Sequence, residues 1–231
     1  MQTIILEPHF DDAAYSMTGL LLSGVVPADA LIVTVFTRSQ FAPYATASGL
    51  EQISALRYEE HEKFCERMAM NHCSLGYDEA PQRGWSMDDI FDNRYGNDTE
   101  PDLKQQIMYD LVSLDEGYMP DAVFAPLGIC GHTDHLLVRE CAEAVFPLKM
   151  SYYEDLPYAG EIPFVEYADW IIKLTKGLHP QTNRNIATLP ARIELLKLYT
   201  SQVAEKDIRS VRNYIGMHQG ERFWSKTTRN G

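Results

Sequence analysis

The segment Glu7-Pro8-His9-Phe10-Asp11-Asp12 sets one imidazole and two adjacent carboxylates directly after a short apolar run, Thr3-Ile4-Ile5-Leu6. A second cluster, Gly131-His132-Thr133-Asp134-His135, follows another apolar run far downstream. Such groups at the end of a buried strand are costly unless something neutralises them, and a divalent cation does so. A catalytic zinc takes three N or O ligands from the protein and keeps a fourth position for water. His9, Asp12 and His135 supply that donor set if the two clusters meet. Residues three apart on a strand-to-turn segment reach one cavity, which leaves Asp11 as a general base beside the water. His132 is then placed to donate to an oxyanion or to protonate a leaving amine. Asp134 is placed to orient one of the imidazoles.

The elements that must position these groups read as an α/β fold. Thr3 to Leu6 and Ala30 to Phe36 are continuous apolar runs that suit strands covered on both faces, and His72 to Tyr77, Ala122 to Ala125 and Met150 to Tyr153 read as the third, fourth and fifth strands. Helical patterns lie between them at 16–23, about 50–70, 101–114 and 135–145, and a further one at 190–203. The segments 37–49 and 78–99 read as loops, and 160–177 as a short hairpin or strand. The last stretch, 204–231, has no clear pattern; Arg222-Phe223-Trp224 within it suits either packing back over the site or an oligomer contact. Alternation of strands and helices predicts one domain over 1–231, Rossmann-like, with a mostly parallel sheet and helices on both faces. Ligands bind beyond the carboxyl ends of strands in such sheets, where both clusters fall.

Composition narrows the class. The chain has 231 residues, 45% of them hydrophobic, and a formal net charge of −13. That charge argues against nucleic acid or an anionic membrane as partner. The four cysteines form no CxxC pair, as expected of a reduced protein. No signal-peptide pattern precedes the first strand and no apolar run is long enough to span a bilayer, so a cytoplasmic protein is expected.

The residues resemble the LmbE-like / PIG-L family of zinc-dependent de-N-acetylases. Pro8-His9-Phe10-Asp11-Asp12 is similar to that family's first motif, P/A-H-P-D-D, and His132-Thr133-Asp134-His135 to its second, H-x-D-H. Arg57-Tyr58-Glu59-Glu60 resembles its R-x-x-E, and Tyr199-Thr200-Ser201-Gln202 its Y-x-S-Q. The resemblance implies Zn2+ on His9, Asp12 and His135, with Asp11 as general base. It also implies His132 as oxyanion donor or acid, with Asp134 as its hydrogen-bonded partner. It departs from the family at Phe10, where proline is usual, and at Ala13, where an acid is common; neither change removes a ligand or the base.

Further residues carry weaker expectations. Arg57 either pairs with Glu60 within its helix or holds the 37–49 loop or the substrate. Glu154, Asp155 and Tyr158, just after the fifth strand, are candidates for binding sugar hydroxyls or the freed amine. Cys130 reads as a packed small residue, and His61, His72, His179 and His218 as structural or surface groups. The favoured activity is removal of an N-acetyl group from a small N-acetylated amino sugar or glycoside, with a homo-oligomer possible. Two alternatives compete: a phosphate-accepting receiver that binds magnesium through the Asp11-Asp12 pair, and a sugar-binding protein of the same fold without turnover. The histidines of the second cluster favour zinc over magnesium.

Overall fold

The computed structural model describes residues 1–91 and 99–226. Seven strands form one sheet in the order β3-β2-β1-β4-β5-β7-β6. The strands are β1 (Thr3–Glu7), β2 (Leu31–Arg38), β3 (Asn71–Asp78), β4 (Ala122–Pro126), β5 (Met150–Tyr153), β6 (His179–Asn183) and β7 (Glu221–Ser225). The first five are parallel; β7 runs antiparallel to both β5 and β6. Ile4, Ile5 and Leu6 are fully buried, as a central strand covered on both faces requires.

The chain moves outward from β1 to β2 and β3, then crosses back to add β4 and β5 on the other side. The carboxyl ends of β1 and β4 therefore diverge at the switch point, where open α/β sheets form their clefts. Helices α1 (Asp12–Ser16) and α2 (Thr18–Leu22) follow β1, α3 (Leu50–Met68) precedes β3, α4 (Pro101–Tyr118) precedes β4, and α5 (Thr133–Val145) follows it. The expected α/β architecture and parallel strands are thus present. No helix among the described residues is long and apolar enough to cross a membrane.

Four local expectations need correction. The helix expected at 16–23 is two short helices broken at Met17. The 160–177 hairpin is instead α6 (Tyr158–Glu161) and α7 (Phe164–Leu174), where Tyr167, Trp170, Ile171 and Leu174 recur at helical spacing. The 190–203 helix stops early: α8 is Leu189–Leu196, and turns carry the chain on to Val203. The segment without a pattern forms α9 (Glu205–His218) and β7. There Phe223 and Trp224 pair in register with Tyr153 and Tyr152 and are buried in the core, so they make neither a lid nor an oligomer contact. Residues 92–98 of the expected 78–99 loop, and 227–231 at the end, lie outside the described residues.

Candidate metal centre

The turn after β1 is closed on itself. The Asp12 carboxylate accepts from the His9 backbone N–H at 2.8 Å, and the Asp12 N–H donates to the His9 carbonyl. This loop turns the His9 ring and the Asp12 carboxylate to one side, against the segment after β4. There Gly128 (φ 87°), Cys130 (φ 66°) and Gly131 (φ 73°) take left-handed backbone, letting the chain turn sharply into α5.

The two clusters meet. Asp12 lies between the imidazoles: one oxygen is 3.3 Å from His9 Nδ1 and the other 3.4 Å from His135 Nε2. Donor atoms of His9, Asp12 and His135 all fall within 4.8 Å of one another, and all three residues are buried. His135 Nε2 is a buried atom with no hydrogen-bond partner. A lone pair left unsatisfied beside a carboxylate and a second imidazole fits a metal ligand. The two-nitrogen, one-oxygen donor set suits a divalent ion such as zinc.

Supporting groups hold these rings. The Asp155 carboxylate lies 2.6 Å from His135 Nδ1, and its other oxygen accepts from the backbone N–H groups of Gly128 and Ile129, each at 2.8 Å. This fixes the His135 ring with Nε2 inward, the arrangement by which outer carboxylates orient metal-binding histidines. The Asp134 carboxylate lies 3.0 Å from His9 Nε2; it accepts from the Ala80 N–H at 3.0 Å and pairs with Arg83 at 2.8 Å. So the Asp134 carboxylate braces His9. Its link to His132 runs instead through the backbone: the Asp134 N–H donates to His132 Nδ1 at 3.2 Å, capping α5.

That cap fixes the His132 tautomer, because an Nδ1 that accepts leaves the proton on Nε2. Burial, reinforced by the His135 and His9 rings, pushes the His132 pKa well below the ordinary imidazole value, so the ring is neutral. His9 and His135 behave oppositely. Burial works against their charge, but Asp12 with Asp134, and Asp12 with Asp155, outweigh it and raise both pKa values. Burial would likewise raise Asp12, yet His135 and His9 hold it at about 2.

Asp11 and His132 face a cavity of about 220 Å³, also lined by Arg57, Glu79, Tyr158 and Glu161. This is several times the roughly 30 Å³ share of one water. Phe41, Tyr44, Met87 and Phe91 at its rim are 38–52% exposed. Tyr158 stacks on His132 with ring centroids 6.4 Å apart and planes at 25°.

Three expectations change here. Arg57 does not pair with Glu60: its guanidinium binds Asp11 at 3.2 Å, Ser39 at 2.8 Å and Glu79 more closely. Glu60 instead accepts from the Thr200 hydroxyl and from the Ser201 N–H and hydroxyl. Arg57 thus lines the cavity while bracing Asp11. Glu154 is 2% exposed and turned away from the cavity, accepting from Tyr167 Oη (2.6 Å), Tyr214 Oη (2.8 Å) and Trp224 Nε1 (2.7 Å). Asp155, 1% exposed, meets His135 and does not line the cavity. Of the substrate-binding candidates only Tyr158 and Arg57 line the cavity. Sequence reasoning missed Glu79, Arg83, Glu161 and the aromatic rim. No motif marked them, although Glu79 and Arg83 lie just beyond a strand's carboxyl end.

The chain is 32% identical over 216 residues to 2'-N-acetylparomamine deacetylase of Streptomyces fradiae, covering 90% of this chain and 76% of that protein. Its fold is similar to a deacetylase from the teicoplanin biosynthesis pathway (TM-score 0.75, 19% identity, 97% of each chain). It is also similar to the zinc-inhibited form of teicoplanin deacetylase (TM-score 0.71, 18% identity, 97% of each chain). Residues 4–146, which carry both clusters, match the PIG-L family, GlcNAc-PI de-N-acetylase. By that match and by its curated relative, the chain belongs to the PIG-L family of N-deacetylases.

Proposed function

We propose that the protein is a zinc-dependent hydrolase that removes the N-acetyl group from an amino sugar within a small glycoside. The observation that carries this reading is the pairing of a two-histidine, one-carboxylate cluster with a separate carboxylate, Asp11, on the cavity side. His9, Asp12 and His135 would hold the ion. When bound, zinc supplies a water of lowered pKa and polarises the acyl oxygen. Asp11 takes the proton of the attacking water, and the Arg57 guanidinium keeps that carboxylate in position. His132, neutral with its proton on Nε2, donates a hydrogen bond to the oxygen that becomes negative. Asp11 then returns its proton to the departing amine. Tyr158 forms a wall for the sugar ring.

The substrate class follows from two supports. A named relative acts on an N-acetylated amino sugar, and the cavity carries carboxylates such as Glu161 together with an aromatic rim. Carboxylates suit a substrate with further free amines, and aromatic faces suit sugar rings. The receiver alternative is disfavoured, since Asp12 lies between two imidazoles. We place the reaction in the cytoplasm, where the four free cysteines remain reduced.

The test is acetate release by zinc-reconstituted protein from a panel of N-acetylated amino sugars, pseudodisaccharides included. Zinc-dependent release from at least one supports the reading. A metal-loaded protein that binds such sugars and releases nothing would make it a binding protein.

A further inference from the structure

A second histidine cluster lies beside the first motif: the His61 ring is 5.1 Å from the Phe10 ring, and His61, Cys65 and His72 do not line the cavity. His61 and Cys65 sit one turn apart on α3, and His72 stands on the neighbouring edge strand β3. His61 Nδ1 lies 2.8 Å from the Phe10 carbonyl, 3.2 Å from Tyr199 Oη and 3.4 Å from Glu7. A carbonyl only accepts, so Nδ1 carries the proton and Nε2 holds a free lone pair. That lone pair meets Cys65 Sγ at 3.3 Å. A ring nitrogen of His72 completes a set whose members all lie within 4.8 Å of one another.

A thiol donating to His61 Nε2 would satisfy those two residues. It would not account for His72 Nδ1, which is a buried atom without a hydrogen-bond partner. The His72 ring lies 5.1 Å from the His61 ring at 82°. We propose that His61, Cys65 and His72 form a second cation site, for a thiophilic ion of the zinc class. Three features of a built site are present. One sulfur and two nitrogens are the donors such ions take, with water as a fourth ligand. The Phe10 carbonyl orients His61 from behind, as outer acceptors do for metal-binding imidazoles. His72 is partly exposed and gives the ion a way in from the edge of the sheet. Binding exchanges the thiol proton for the metal–sulfur bond and clamps β3 to α3. It also holds the ring that braces the Phe10 carbonyl, one residue from His9 and from Asp11.

This site does not depend on the deacetylase reading, and its test keeps the two apart. The centre at His9, Asp12 and His135 contains no sulfur, so cobalt bound there gives no thiolate-to-metal charge-transfer band. Full-length protein is titrated with Co2+ and followed in the near ultraviolet, and its zinc content after loading is measured. The expected result is a charge-transfer band that survives Cys130→Ser and disappears in Cys65→Ser. Wild type should then hold one equivalent of zinc more than Cys65→Ser. Should Cys65→Ser fold poorly, His72→Ala, changed at a partly exposed edge position, must lose the band and the extra zinc. Absence of the band in wild type, or its persistence in Cys65→Ser or in folded His72→Ala, overturns the proposal.

Discussion

Two acidic pairs follow parallel strands in this chain, and they meet opposite fates. Asp11-Asp12 follows β1 and opens onto the cavity: Asp12 lies between two imidazoles, and Asp11 lines the open space. Glu154-Asp155 follows β5 and is closed off. Asp155 props His135 from behind, and Glu154 anchors the buried aromatics of α7, α9 and β7. The same sequence signal therefore yields a pair that lines the cavity at the switch point and, after β5, a pair that is buried behind it. A carboxylate's role is set by what it faces, and the switch point supplies the open space.

The sharpest way to break this comparison is Asp11→Asn. Loss of a general base lowers turnover by about 10²–10⁴-fold, and zinc content should stay at the wild-type level because His9, Asp12 and His135 are untouched. Steady-state rates beside elemental analysis check both halves; an Asp11→Asn protein with near wild-type kcat would return Asp11 to a supporting role. Asp155→Asn comes next. Outer carboxylates of this kind typically contribute about 10–100-fold in metal affinity or activity. Zinc competition should show weaker binding, with much of the rate recovered at high zinc. Unchanged affinity would mean that Asp155 does not orient His135.

Acidity bears on the first pair. The neighbouring carboxylates raise the pKa values of both His9 and His135. Zinc must displace those protons, so affinity is full above the raised values and falls as pH drops through them. Competition titrations across a pH series should show this loss beginning above the ordinary histidine range, near 6.5, together with proton release on binding. Affinity flat down to that range would contradict the arrangement around Asp12. The smallest functional effect belongs to Glu154→Gln. It leaves buried donors poorly matched and should lower stability by about 1–3 kcal/mol, while kcat and KM stay near wild type. A selective rise in KM would restore Glu154 as a substrate contact.

Much of this was legible in the sequence. Apolar runs at 3–6, 30–36 and 122–125 carry three of the parallel strands, and the polar clusters that follow the first and the last of them, at 7–12 and 131–135, carry the candidate centre. What was not legible depends on facing. Neighbouring residues on an extended segment point to opposite sides, so the order Glu154-Asp155 does not say which carboxylate meets His135. The partners that decide it, Gly128, Ile129, Tyr214 and Trp224, lie distant in the chain. Arg57 misled for a related reason: Glu60 is one helical turn away, yet Arg57 turns to Asp11 and Glu79 while Glu60 turns to Ser201. β7 escaped notice because it is a strand only by pairing with β5 and β6.

The most direct test is anomalous scattering at the zinc edge from crystals of zinc-loaded protein that has first been shown to release acetate. The account places a peak within bonding distance of His9, Asp12 and His135 Nε2, with Asp11 beside it and unbound. Active protein with no zinc between those three residues, or with Asp11 as a ligand in place of Asp12, would contradict it.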